Sequence, residues 1–316
     1  MRHGTGGLGT AAAPPPAATW TPAPASTPWV IGAAWLTTLL VSTVPVIFWT
    51  ELIGPAPAWL TVAQITVPAV LFVVTLVSRR MRPLWRFSVV MCLLLVLIAA
   101  MPAVDLSMPW VQGLFGATAF DQRMQAEQTV KLLAALLMVA ALLLLGLKPK
   151  DFFLRLGMLT APIRPVPVLG FPHADSWRRF GLIWGFGITA ALGIVQYFVV
   201  RPTAADFAVI LPMVPSIIFY AAVNAFTEEM TYRAPMLATL EPAVGSSHAL
   251  WQSAVLFGVA HYFGTPGGLL GGVLSICMGW ILGKAMLETR GLFWAWWIHF
   301  LSDIVIFVFI AVALAA

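Results

Sequence analysis

Apolar residues run through this chain in blocks long enough to cross a bilayer, broken by short polar or proline-containing stretches. Nine blocks read as transmembrane helices, at about 29–53, 59–78, 87–104, 129–147, 179–200, 208–239, 249–264, 268–287 and 291–314. A helical span needs roughly 20 predominantly apolar residues, which these blocks approach or exceed. Ser107 to Glu127 is mixed in character and is expected outside the hydrocarbon, as a loop or interfacial helix. Residues 148–178 carry five prolines and several cations and form the longest interior linker.

Composition agrees with the pattern. The chain is 60% hydrophobic and 9% charged, with a mean hydropathy of +0.93; soluble domains carry about a quarter charged residues. The fold class is therefore all-α, a polytopic transmembrane bundle of about 8–9 spans. Residues 1–28, rich in Pro, Ala, Thr and Gly, cannot bury enough apolar surface to offset ordering and are expected to be a disordered tail. Arg2 and His3 lead into glycines and prolines instead of an apolar core, so the tail is not a signal peptide. The chain divides into this tail, accessory spans over 29–147, a cytoplasmic linker over 148–178 and a core over 179–316.

The net charge of +5 does not call for nucleic acid, because most cations flank apolar blocks as membrane anchors do. Arg79, Arg80, Arg82 and Arg86 crowd one connection, Lys148, Lys150, Arg155, Arg164, Arg178 and Arg179 a second, and Lys284 and Arg290 a third. With nine spans all three lie on one side, which places the amino terminus in the cytoplasm. The far side receives Arg123, Lys131 and Arg201. Cys92 and Cys277 lie within apolar blocks and imply neither disulfides nor a thiolate metal site.

Sorting the ionisable residues in this way leaves a remainder inside the membrane: Glu228, Glu229, Arg233, His261, His299 and Asp303. A charge at membrane depth costs about 2.5–3.5 kcal/mol or more, so such residues usually face the bundle interior and serve a function. Glu229 and Arg233 are four apart and share a helix face, where they can pair. Glu228 lies about 100° around the helix, pointing elsewhere with no local partner. On their own spans Glu228, His261 and His299 stand roughly 16, 18 and 12 Å from the cytoplasmic ends. Asp303, one turn beyond His299, can hydrogen-bond that ring and fix its tautomer.

A carboxylate and two imidazoles at similar depth suit hydrolysis. Glu228 can take a proton from water while a histidine stabilises the oxyanion or protonates the leaving amine. No Ser or Cys nucleophile is indicated: Ser302 lies on another face and Cys277 has no evident base. The HExxH zinc-protease pattern is absent. The small residues of "GTPGGLLGGVLSICMGWILG" recur at four-residue spacing and read as a close helix-packing surface, not a phosphate loop. His173 and His248 are taken as incidental.

Three stretches carry a family resemblance. "EEMTYR" fits an EExxxR signature, "FGVAH" from Phe257 to His261 fits FxxxH, and "HFLSD" from His299 to Asp303 fits HxxxN/D. In this order on successive spans they resemble the CPBP family, the CAAX proteases and bacteriocin-processing enzymes also called Abi, over about 178–314. The resemblance implies an intramembrane endopeptidase of the bacterial plasma membrane acting on a peptide or protein substrate in the bilayer. Its eukaryotic relatives remove the last three residues of prenylated CAAX proteins. By that similarity Glu228 and His261 activate water, His299 and its partner form the oxyanion site, and Glu229 and Arg233 are a supporting pair. The prenyl-endopeptidase branch has Asn where this chain has Asp303, so Asp303 is assigned to orienting His299. The family is described both as metallo- and as glutamate-type. A metal-free centre is preferred here; Zn²⁺ would take Glu228, His261, His299 and Asp303 as ligands. The competing functions are an idle scaffold or bacteriocin-immunity protein and a proton-coupled transporter, the last lacking the inverted repeats it would need. Substrate identity and oligomeric state are not encoded legibly.

Overall fold

The computed structural model describes residue 20 and residues 28–103, 118–264 and 267–315. Apart from Trp20 and Pro28, the expected disordered tail lies outside the described residues. Twelve α-helices make up most of the described structure: α1 Pro28–Val41, α2 Val44–Leu52, α3 Ala58–Val77, α4 Trp85–Ala100, α5 Ala119–Leu144, α6 Trp177–Val200, α7 Ala204–Ile210, α8 Val214–Glu228, α9 Ala234–Val244, α10 Ser246–Ala260, α11 Gly268–Thr289 and α12 Phe293–Ala315. The linker adds a two-stranded antiparallel pair, β1 Pro162–Ile163 with β2 Asp175–Ser176.

Seven helical stretches are long and apolar enough to cross a membrane, and α1 with α2, bent by 48°, makes an eighth when taken as one span. The protein is an integral membrane protein. The predicted span at 249–264 is the difference: α10 has only 15 residues, about 22 Å of helix, and stops in a 3₁₀ turn at His261. The α1–α2 break follows from Pro45 in the first turn of α2, which has no N–H to continue the ladder. Carbonyls left open at the break are met from α3, where Gln64 donates to Leu40 O at 3.0 Å and Ser42 O at 2.7 Å.

The helix expected from residue 129 begins ten residues earlier, at Ala119. Thr118 caps it, accepting from the Asp121 N–H at 3.1 Å. The polar residues of this first half are buried against the protein instead of meeting lipid, as Asp121, Gln125 and Gln128 show. The part of Ser107–Glu127 before Thr118 lies outside the described residues.

Residues 204–244 form one long broken run. Pro212 sits in a 3₁₀ turn between α7 and α8, and Glu229–Arg233 is a single π turn between α8 and α9. There the Ala234 N–H reaches the Glu229 carbonyl, five residues back, and Pro235 follows with no N–H to give. The small-residue surface packs α11 antiparallel on α10. A Cβ on Gly258 would stand 2.2 Å from Ile276 Cγ1, and one on Gly283 2.7 Å from Leu250 Cδ1, so the backbones meet as closely as glycine permits.

Two apolar clusters fill the bundle. One gathers Phe120 and Met124 of α5, Ile217, Tyr220 and Ala221 of α8, and Phe307 and Ala311 of α12. The other takes Ala135 and Met138 of α5, Met230 of the π turn, Ala234 of α9 and Ile298 of α12. Between them on every one of these elements lies a polar layer.

Candidate active site

The polar layer comes from three helices. On α5 it contains Gln128 and Lys131, on α8 and the π turn Asn224, Glu228 and Glu229, and on α12 His299 and Asp303. Glu229 and Arg233 form a fully buried ion pair, and the Arg233 guanidinium lies 4.4 Å over the Phe257 ring. Glu229 Oε1 also accepts from His299 Nδ1 at 2.8 Å. With a carboxylate accepting there, Nδ1 carries the hydrogen and Nε2 is turned into the site.

His299 Nε2 is 3.6 Å from Glu228 Oε2 and 3.7 Å from Asp303 Oδ2. Glu229 thus hydrogen-bonds one nitrogen of the imidazole, while Glu228 and Asp303 stand near the other beyond hydrogen-bond distance. Glu229 pairs with Arg233 while Glu228 turns to Lys131, and the backbone stays helical through both glutamates (φ −70°, ψ −40° and φ −61°, ψ −40°). The structure corrects the assignment of Asp303 as the hydrogen-bond partner that fixes the His299 tautomer. At 3.7 Å Asp303 makes no hydrogen bond to the ring; Glu229 does so. Asp303 instead accepts from Asn224 Nδ2 at 3.0 Å.

Glu228 does have a local counter-charge. Lys131 Nζ stands 3.2 Å from Glu228 Oε1, 3.0 Å from Glu127 Oε1 and 2.8 Å from Asn224 Oδ1, and Gln128 Nε2 donates to the same Asn224 oxygen at 3.1 Å. Lys131 had been placed at a helix end outside the membrane; it lies in the middle of α5 because that helix starts at residue 119. Asn224, Gln128 and Lys131 were all missed. Asn224 carried a signal, standing four residues before Glu228 on one helical face. For Lys131 the signal was its place at the start of an apolar block, read as an anchor.

His261 occupies the turn that ends α10. Its Nδ1 donates to Phe257 O at 2.9 Å, so Nε2 is the open position. Its ring packs against Phe257, with centroids 4.4 Å apart, and Phe257 meets His299 edge-on at 5.7 Å. Phe257 is thus the apolar spacer between the imidazoles and the floor under Arg233. Of the residues set aside, His248 accepts from Trp35 Nε1 at 3.2 Å and ties α10 to α1.

The zinc alternative requires Glu228, His261, His299 and Asp303 to converge. Among the described residues, no three His, Cys, Asp or Glu side chains are gathered so as to hold a metal ion. Glu228 Oε1 already faces the Lys131 ammonium, which would repel a divalent cation. In this arrangement the donor set does not fit a metal ion.

Fold and polar layer together define a membrane-embedded helical bundle with a carboxylate–imidazole centre between two apolar clusters. Residues 210–305 match the family model described as type II CAAX prenyl endopeptidase, Rce1-like. That match, which covers less than a third of the chain, is consistent with the CPBP family and supports a CAAX-type intramembrane protease at the family level. No curated protein and no solved structure matches the chain. Glu228, Glu229, Arg233, Phe257, His261, His299 and Asp303 fall inside the matched segment, whereas Gln128 and Lys131 lie outside it.

Proposed function

We propose that the protein hydrolyses a peptide bond of a membrane-associated substrate, a prenylated CAAX-like carboxyl terminus in the first instance, using water activated by Glu228 and His261 without a metal. The observation that carries this is the convergence of Glu228 and Glu229 on the two nitrogens of His299, inside the segment that is Rce1-like. Lys131 holds Glu228 Oε1, which leaves Oε2 facing the reaction space. A water between Oε2 and His261 Nε2 loses a proton to the carboxylate as its oxygen bonds to the scissile carbonyl carbon. His299, with Nδ1 held by Glu229 and a second proton on Nε2, donates from Nε2 to the oxyanion. When the tetrahedral species collapses, the C–N bond breaks and the proton held by Glu228 passes to the leaving amine. Glu229 and Arg233 position His299, and Asn224 ties Asp303 to the Lys131 cluster.

The test is a panel of quenched peptides, prenylated and unprenylated, incubated with detergent-purified protein and read by mass spectrometry. Release of a carboxyl-terminal tripeptide from prenylated substrates supports the proposal. Cleavage of leader-type peptides alone would move the substrate to the bacteriocin-processing class. If wild type cleaves nothing and Glu228→Gln keeps full activity in cells, the scaffold or immunity function replaces it.

A further inference from the structure

A cavity of about 610 Å³ opens where residues 146–155 pack against the ends of α4, α9 and α11; its walls include Arg86, Lys150, Asp151, Arg155, Glu241 and Arg290. Four cations face two carboxylates, and both carboxylates are already committed. Glu241 takes two bonds from Arg290, at 2.6 and 2.9 Å, and one from Ser246 at 2.7 Å. Asp151 accepts from the Lys148 N–H at 2.8 Å. The lining therefore carries two positive charges in excess; Arg155 Nε is bonded to the Arg290 carbonyl, and Arg86 Nε is buried with no hydrogen-bond partner among the described residues. A buried guanidinium N–H without an acceptor is costly, and a phosphate oxygen is the acceptor its fork suits best. Beside the cavity, Leu143 and Leu144 at the end of α5 are exposed, Leu144 by 89%. They offer acyl chains a surface next to the cations. Glu241 stands ~20 Å along the helical run from Glu228, so this site is separate from the polar layer.

We propose that the cavity binds the headgroup of an anionic phospholipid, with Arg86 and Lys150 meeting its phosphate. Basic pockets between membrane helices recognise anionic lipids through this chemistry. Native mass spectrometry of the full chain in neutral detergent, supplied with phosphatidylglycerol or phosphatidylcholine, tests it. Wild type is expected to retain phosphatidylglycerol over phosphatidylcholine by about tenfold, and Arg86→Gln/Lys150→Gln to lose that preference. Lys150→Glu, at an exposed position, substitutes should the double variant fail to fold. Equal retention of the two lipids by wild type, or an undiminished preference in the variants, overturns the proposal. Displacement of phosphatidylglycerol by millimolar inorganic phosphate would overturn the lipid assignment and give the site to a free anion.

Discussion

Lys131 is the residue by which the accessory helices enter the candidate site, and replacing it with Met isolates that contribution. At 3.2 Å from Glu228 Oε1, the attraction is about 1 kcal/mol at the dielectric of water and about 5 kcal/mol at an effective dielectric near 20. The side chains of Lys131 and Glu228 retain 23% and 15% exposure, so the pair lies between those limits. Lys131→Met also strips Asn224 Oδ1 of its 2.8 Å donor. The expected loss is about 3 kcal/mol, at the lower edge of that for breaking a buried pair. Glu228→Gln in the same background removes the orphaned charge, so the double variant should be more stable than the sum of the singles by about 2 kcal/mol. Lys131 with Glu127, whose side chain is 40% exposed, should couple by under about 1 kcal/mol. Unfolding by SDS titration in mixed micelles, followed by helical circular dichroism, measures both cycles. Additivity of Lys131→Met and Glu228→Gln within about 0.5 kcal/mol refutes the coupling.

Three further outcomes follow from the same geometry. Arg233→Met leaves Glu229 buried and uncompensated and should cost about 3–5 kcal/mol, part of it regained on adding Glu229→Gln, as the same titration shows. Gly258→Ala drives a Cβ to 2.2 Å from Ile276 and should cost about 1–3 kcal/mol in thermal unfolding, while Gly187→Ala, with nothing within 4 Å, should not destabilise. Asp303→Asn keeps an oxygen for the Asn224 amide, so it should hold the wild-type melting temperature and cleave more slowly by at most about tenfold, with Asp303→Ala losing more; equal kcat for the two would remove Asp303 from the site.

The apolar blocks made the helices legible because a bilayer leaves the backbone little alternative, and the intramembrane remainder picked out six residues that lie in or beside the polar layer. The failures have local causes. Asp303 is the carboxylate one turn from His299 on its own helix, so it received the role that Glu229 holds from another helix. Counting apolar length made α10 a span although it ends at His261. Lys131 was misread because a cap at Thr118 lengthens α5 backwards through Gln125 and Gln128, polar residues that look like a loop until their burial and the bond from Gln128 to Asn224 on α8 are known. Pairing across helices far apart in sequence, as between Lys131 and Asn224, has no signature in either segment alone.

The central claim is that Glu228 activates water without a metal. The most direct measurement is the turnover of one cleavable prenylated peptide by wild type and by Glu228→Gln, each with and without a strong chelator. Loss of kcat by about 10²–10⁴ in Glu228→Gln, with wild-type turnover unchanged by the chelator, is the result expected. Loss of wild-type turnover on chelation with recovery on adding Zn²⁺, or near-normal turnover by Glu228→Gln, would contradict it.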